Sequence, residues 1–149
     1  IYAQAGEHMN LNGGYGVTAA SAPDGVPDVS ESWNYTPTRN SSSWISLKYG
    51  SDLQGVLFAG YVKNFGTAEA IVDPGHLYFS KNSFSNMNAM WRLTPTVLYN
   101  LGKLTFGLEY DVTGVQYGEW GDGPCYGLAT ENLHWVTNHR VQAMVKFTF

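Results

Sequence analysis

At 149 residues with a formal net charge of −4 and no basic cluster, the chain has the length of one domain and gives no sign of a nucleic-acid partner. Only 13 % of its residues are charged, against about 25 % in ordinary soluble domains, while aromatics reach 15 % and mean hydropathy is −0.21. The longest apolar run, around Gly55 to Val62, is far short of the roughly 20 residues a membrane helix needs, which leaves an all-β soluble domain or a membrane β-barrel, where only every second residue must face lipid.

Ile1-Tyr2-Ala3-Gln4-Ala5 reads as mid-strand sequence, so an upward strand is expected within Ile1 to Asn10, preceded by the N-terminal part of a longer protein. Val17 to Ser41 is a long polar loop, with Gly13-Gly14-Tyr15-Gly16-Val17 offering one extra strand at its start. Ser43, Ile45, Leu47 and Tyr49 then alternate with Trp44, Ser46 and Lys48, the period of a strand with two unlike faces. Gly50-Ser51-Asp52 turns the chain into Leu53 to Lys63. Both faces of that strand are apolar or small; Leu53, Leu57 and Tyr61 are assigned to the outside.

A second polar stretch, Asn64 to Asn86, leads to another hairpin. Its first strand puts Trp91, Leu93, Pro95, Val97 and Tyr99 on one face and Arg92, Thr94 and Thr96 on the other. Asn100-Leu101-Gly102 is the turn, and Leu104, Phe106, Leu108, Tyr110 and Val112 then oppose Thr105, Gly107, Glu109, Asp111 and Thr113. After a third polar stretch, Gly114 to Val136, the last strand sets Val141, Ala143, Val145, Phe147 and Phe149 against Arg140, Gln142, Lys146 and Thr148, with Met144 the exception.

Short turns near 50–52 and 100–102 thus alternate with long loops near 17–41, 64–86 and 114–136. Loops of that length count against a compact soluble domain. They are how outer-membrane barrels are built, with the turns on the periplasmic side. The expected fold is all-β: an antiparallel up-and-down transmembrane β-barrel, about six strands of which are present, each with the 9 to 11 residues that cross a bilayer at a tilt. Tyr49, Tyr99, Phe147 and Phe149 fall at one rim and Tyr61, Trp91 and Tyr110 near the other, as headgroup girdles require. Single-chain barrels start at about eight strands, and an open sheet in lipid leaves unsatisfied edges. Six therefore imply a fragment, further strands in the first 40 residues, or a barrel shared between chains.

The final strand, Gln142-Ala143-Met144-Val145-Lys146-Phe147-Thr148-Phe149, resembles the C-terminal signal of Gram-negative outer-membrane barrels in its polar start, its aromatic two from the end and its terminal Phe. Met144 departs from the Gly often found there. The resemblance implies recognition by the barrel-assembly machinery through Phe147 and Phe149, an outer-membrane location, and outer-membrane lipid and lipopolysaccharide as surroundings. Trp44-Ile45-Ser46-Leu47-Lys48-Tyr49 with Leu53-Gln54-Gly55-Val56-Leu57-Phe58-Ala59-Gly60-Tyr61 is similar to porin-like barrels of the Bacteroidota. That likeness, over Ser43 to Phe149, implies a larger barrel acting as a channel, with a homotrimer, as porins often form, or other outer-membrane proteins as partners.

By parity the lumen carries Lys48, Arg92, Thr94, Thr96, Glu109, Asp111, Arg140, Gln142 and Lys146. A wet interior alone accounts for polar residues there. A sharper reading is that four cations over two acids favour anionic solutes. Histidines 8, 76, 134 and 139 match no metal or nucleophile pattern and read as solvated loop residues, with His134 and His139 within reach of Glu119, Asp122 or Glu131. Cys125 is alone, so neither a disulfide nor a thiolate metal site is expected, and no cofactor is implied. Gly121-Asp122-Gly123-Pro124 and Val72-Asp73-Pro74-Gly75 are turn sequences with too few acids for calcium. Asn34-Tyr35-Thr36 and Asn40-Ser41-Ser42 match the glycosylation pattern by chance. The function expected is passive diffusion of small hydrophilic solutes. The alternatives are a closed barrel that binds a partner through its loops, a barrel enzyme, and a soluble sandwich.

Overall fold

The computed structural model describes residues 2–6, 14–18, 34–79 and 86–149. The first long loop (19–33), part of the second (80–85) and His8 lie outside the described residues. The strands are β1 (Tyr2–Gly6), β2 (Gly14–Thr18), β3 (Asn34–Gly50), β4 (Leu53–Thr67), β5 (Leu77–Phe79), β6 (Met87–Leu101), β7 (Leu104–Glu119) and β8 (Glu131–Phe147). All belong to one antiparallel, curled sheet, the wall of half a barrel. No helix among the described residues is long and apolar enough to cross a membrane.

The long strands pair in sequence order, β3 with β4, β4 with β6, β6 with β7 and β7 with β8, as an up-and-down wall requires. β1 and β2 pair with successive stretches of β3, Tyr2 opposite Lys48 and Tyr15 opposite Pro37, so together they fill one place in the wall. The strand expected within Ile1 to Asn10 is therefore present as β1. The glycine-rich sequence does supply a strand in β2, but β2 pairs with the other end of β3 from β1 and adds no width.

The hairpin turns are tighter than the sequence reading placed them. Pairing runs through Leu101 opposite Leu104, which leaves Gly102-Lys103 as a two-residue turn with Gly102 at φ 58. At the other hairpin Gly50 (φ 107) still pairs with Gln54, and Ser51-Asp52 make the turn. The turns brace one another: the Asn100 amide donates to Asp52 O (2.7 Å), and Thr148 N donates to Lys103 O (2.9 Å).

At the other end the strands continue well into the stretches read as loops. They reach 15 to 17 residues in place of 9 to 11. The reason lies in the outward face of β3, where Ile45, Leu47 and Tyr49 give way to Arg39, Ser41 and Ser43. An antiparallel ladder does not depend on apolar side chains and persists beyond the apolar band, so the change from greasy to polar marks the edge of the band and not the end of the strand.

Burial alternates with the pleat. On β3 the odd residues are exposed and Trp44, Ser46 and Lys48 are half-buried; on β4, Leu53, Leu57 and Tyr61 point outward as assigned, while Gln54, Val56 and Phe58 turn inward. The outward face is a continuous apolar surface, with Tyr49 73 %, Val97 52 %, Leu108 57 % and Val145 68 % exposed. Trp91 lies flat over Gly114, where an added Cβ would meet Trp91 Nε1 at 2.3 Å. Phe147, in the last paired row opposite Leu104, packs edge-on against Phe149 at 5.3 Å between ring centres. What buried core exists sits at the loop end, around Val62, Met87 and Met90.

Candidate functional site

Every residue assigned to the lumen by parity lies on the inward face. One row of the sheet runs Lys48, Val56, Thr96, Glu109, Gln142 across five strands. The next carries Ser46, Phe58 and Thr94 on β3, β4 and β6, with Asp111 opposite Arg140 on β7 and β8. Arg92 lies opposite Thr113 one row nearer the loops, and Lys146 opposite Thr105 nearer the turns. The sequence places these residues together because period-two alternation and antiparallel register leave a side chain no other face.

The tertiary structure supplies the pairing within that face. Arg92 donates through Nε to Asp111 Oδ2 (2.6 Å) and through Nη2 to the same oxygen. Arg140 Nη2 reaches Asp111 Oδ2 at 3.3 Å and Glu109 Oε1 at 3.7 Å. Thr113 Oγ1 donates to Asp111 Oδ1 (2.9 Å), and Thr96 Oγ1 donates to Glu109 Oε2 (3.2 Å). Asp111 is 4 % exposed, so its charge is held by these donors and little by water. Two guanidinium groups and two carboxylates thus form one neutral cluster. The acids sit between the arginines, while Lys48 and Lys146 stand outside the cluster, so the cations named on this face still outnumber its acids.

Two features of the face were not read from the sequence. Trp44 and Phe58, counted among neither the polar nor the rim residues, turn inward and stack at 5.8 Å between centroids with planes 23° apart. Met144, the apolar exception on the last strand, seats on Gly107 beside Leu98: an added Cβ at Gly107 would lie 3.1 Å from Met144 Cε and 3.0 Å from Leu98 Cδ2. The signal for both was a mismatch between side-chain type and face, which gains meaning only once the register is known. Thr94 Oγ1 is buried and has no hydrogen-bond partner among the described residues. It precedes Pro95, whose missing N–H removes a ladder donor at the same place.

At the loop end the inward face is covered. Gly16 of β2 lies opposite inward-facing Thr36, and an added Cβ there would meet Ile71 Cγ2 at 2.3 Å. Gly66 (φ 66) sits at the bulge of β4, where an added Cβ would fall 2.2 Å from Tyr126 O. Thr67 N donates to Tyr126 O (2.7 Å), Ile71 N to Cys125 O (2.7 Å) and Val72 N to Val17 O (3.0 Å). β5 crosses to pair with β2, beyond β3. Both described loops, 68–79 and 120–130, therefore turn over the inward face and interlock. Between them is a space of about 450 Å³ lined by Asp73, Trp120, Asp122, Cys125 and Glu131.

The turn reading of residues 72–75 agrees with the structure. Asp73 caps a short 3-10 turn, Pro74–His76, by accepting from Gly75 N (2.7 Å). It also pairs with His76 Nδ1 at 2.8 Å, and that bond, more than any other influence, lowers the Asp73 pKa below its usual 3.8. Two other histidines belong to a strand and not to loops: in β8, His139 stacks on Tyr110, whose hydroxyl lies 2.6 Å from its Nδ1, and His134 leans on Tyr117. Among the described residues no three His, Cys, Asp or Glu side chains are grouped to hold a metal. Comparison with protein-family models, curated proteins and solved structures gave no match for this chain.

Proposed function

We propose that this chain forms part of the wall of a bacterial outer-membrane channel for passive diffusion of small hydrophilic solutes. The observation that carries the reading is the division of one curled sheet into two chemistries. Its outward face is a broad exposed apolar surface of the kind water does not tolerate on an unpartnered protein. Its inward face carries the hydrogen-bonded polar cluster, as a water-filled lumen needs. In such a wall the turns face the periplasm and Phe147 and Phe149 serve barrel assembly, with lipid and lipopolysaccharide around the apolar band. The porin-like likeness of residues 43–149 to Bacteroidota barrels and a trimeric assembly belong to the same proposal.

A second reading, a barrel that binds a partner at its surface, is favoured by the interlocked loops and the space between them. Reconstitution of the natural protein into planar bilayers separates the two. Stepwise conductance supports the channel, and a preference for Cl⁻ over K⁺ agrees with the two lysines that stand outside the cluster. Absence of conductance in correctly folded protein supports the surface-binding barrel.

A further inference from the structure

The outward face is dented where a glycine interrupts it. Tyr49, Gly55, Val97 and Leu108 form one outward row across β3, β4, β6 and β7. With Leu47, Leu57 and Tyr110 of the next row they enclose a shallow groove of about 630 Å³. Nothing within the chain accounts for this glycine. Gly55 needs no left-handed φ, and pairing runs unbroken through it on both sides, so it marks neither a turn nor a bulge. Other strand glycines each admit a close neighbour: an added Cβ would meet Ile71 at Gly16, Met144 at Gly107, Trp91 at Gly114 and Leu133 at Gly118. At Gly55 it would meet nothing within 4 Å. Glycine weakens a strand interior, and it is the residue found where something from outside comes close.

We infer that the groove seats one acyl chain of a zwitterionic glycerophospholipid from the leaflet at the turn end, and the inference rests on the channel reading above, in which this face meets lipid. The side chains around Gly55 on this face are apolar apart from two tyrosine hydroxyls, and that of Tyr110 is taken by His139. Such a surface rewards a hydrocarbon chain through area alone. Depth agrees. Gly55 is three residues from Asp52, about 10 Å of extended chain. That lies within the roughly 15 Å that one leaflet contributes to a hydrocarbon core of about 30 Å. The way from the turns to the groove runs past Leu53 and Tyr99, both exposed and opposite each other. At the turns themselves the charges have both signs. Lys103 in one hairpin and Asp52 in the other are exposed, and among the described residues neither is in an ion pair. Asn100 ties the two hairpins together, its amide N–H donating to Asp52 O (2.7 Å) and its side chain to Ser51 O (3.3 Å). A phosphate suits the lysine and an ammonium suits the aspartate. A zwitterionic headgroup carries both; a purely anionic one carries only the first.

The test uses the full natural protein, refolded in lipid-free detergent micelles and titrated with dioleoyl phosphatidylethanolamine. Dioleoyl phosphatidylglycerol, which lacks the ammonium, is the comparison, and native mass spectrometry counts the lipid retained. The expected result is saturable retention of phosphatidylethanolamine, weakened roughly tenfold by Gly55→Leu, which fills the groove. Gly55→Val, β-branched and at home in a strand, is the second variant, with circular dichroism confirming the fold of both. Ala143→Leu adds similar bulk opposite Leu108, in the same row but beyond the groove, and should leave retention unchanged. Lys103→Gln should weaken both lipids several-fold, whereas Asp52→Asn should erase the preference for phosphatidylethanolamine. Undiminished retention in both folded Gly55 variants, or equal retention of the two lipids by the natural protein, overturns the site. If a Gly55 variant instead lowers the oligomeric mass while lipid retention stays the same, the groove seats a second copy and the lipid site falls. Planar-bilayer conductance keeps the two proposals apart. If the protein conducts but lipid retention ignores Gly55, the site falls and the channel stands. If it does not conduct while retention remains sensitive to Gly55→Leu, the channel falls and the site stands.

Discussion

The two faces of this sheet are held by different physics. On the outward face each side chain contributes through its type alone: Leu53, Val97, Leu108 and Val145 meet no particular partner, and any apolar residue of similar size would do. On the inward face the contribution is in the pairings. Arg92, Arg140, Thr113 and Asp111 form a network in which each member is satisfied by the others. The comparison teaches that a sheet with two unlike faces can rest on composition on one side and on geometry on the other. A non-specific environment can reward only area, whereas a crowded polar face must satisfy each donor and acceptor individually.

The contrast breaks most visibly at Asp111. Asp111→Ala leaves the Arg92 and Arg140 guanidiniums without their shared acceptor, and since both are partly exposed and Arg140 keeps Glu109, a loss of about 3 kcal/mol, the low end for a broken buried pair, is expected in denaturant titrations of the refolded protein. The double variant Asp111→Ala with Arg92→Met should recover much of that loss. If the single variant is nearly neutral, the inward network is not what holds the middle of the wall.

A charge on the other face tests the environment instead of a pairing. Leu108→Arg, in the middle of the apolar surface, should cost about 2–4 kcal/mol in lipid bilayers. Leu108→Ile should be almost silent in the same measurement. Equal tolerance of Arg and Ile would mean that this face does not meet hydrocarbon.

The loop end sharpens the comparison, because there the inward face is fitted by backbone contact. Gly66→Ala has to place a Cβ 2.2 Å from Tyr126 O at a φ of 66. Strain of about 2 kcal/mol follows, and hydrogen exchange at Thr67 and Ile71 should accelerate while the turn end keeps its protection. Gly55→Ala, on the outward face with nothing within 4 Å of its added Cβ, is the matched control and should change neither.

The smallest effect belongs to Asp73. Its pKa is lowered in the folded chain, chiefly by the bond to His76, so its contribution is present above the unfolded value near 3.8 and disappears as pH falls through the lower folded value. Asp73 is half exposed, so the effect stays local. Asp73→Ala should cost about 0.5 kcal/mol at neutral pH, as a weak cap does, and nothing at a pH well below 3.8. Exchange of the Gly75 and His76 amides reads this out, and a difference that persists in acid would assign the loss to something other than the carboxylate.

The sequence by itself determined the wall. Alternation along residues 43–63, 91–113 and 140–149 sets which side chains share a face, and glycine at 50 and 102 sets where the chain reverses. All of this is legible because it depends only on neighbours one or two residues away. It also placed the candidate site residues on one face, since parity needs no knowledge of distance. What only the tertiary structure decided is which groups meet. Asp111 finds Arg92 nineteen residues back and Arg140 twenty-nine ahead, which ties the two arginines of the face into a neutral cluster and leaves its excess charge to Lys48 and Lys146. Trp44 and Phe58 stack because the register between β3 and β4 sets them on a diagonal of the same face, Trp44 opposite Gly60 and Phe58 opposite Ser46. The loops at 68–79 and 120–130 read as polar linkers, yet they fold inward through contacts between Ile71 and Cys125 and between Thr67 and Tyr126. Local pattern carries the period of a strand, but pairing energy depends on distances set by register across several strands, and no single segment contains that information.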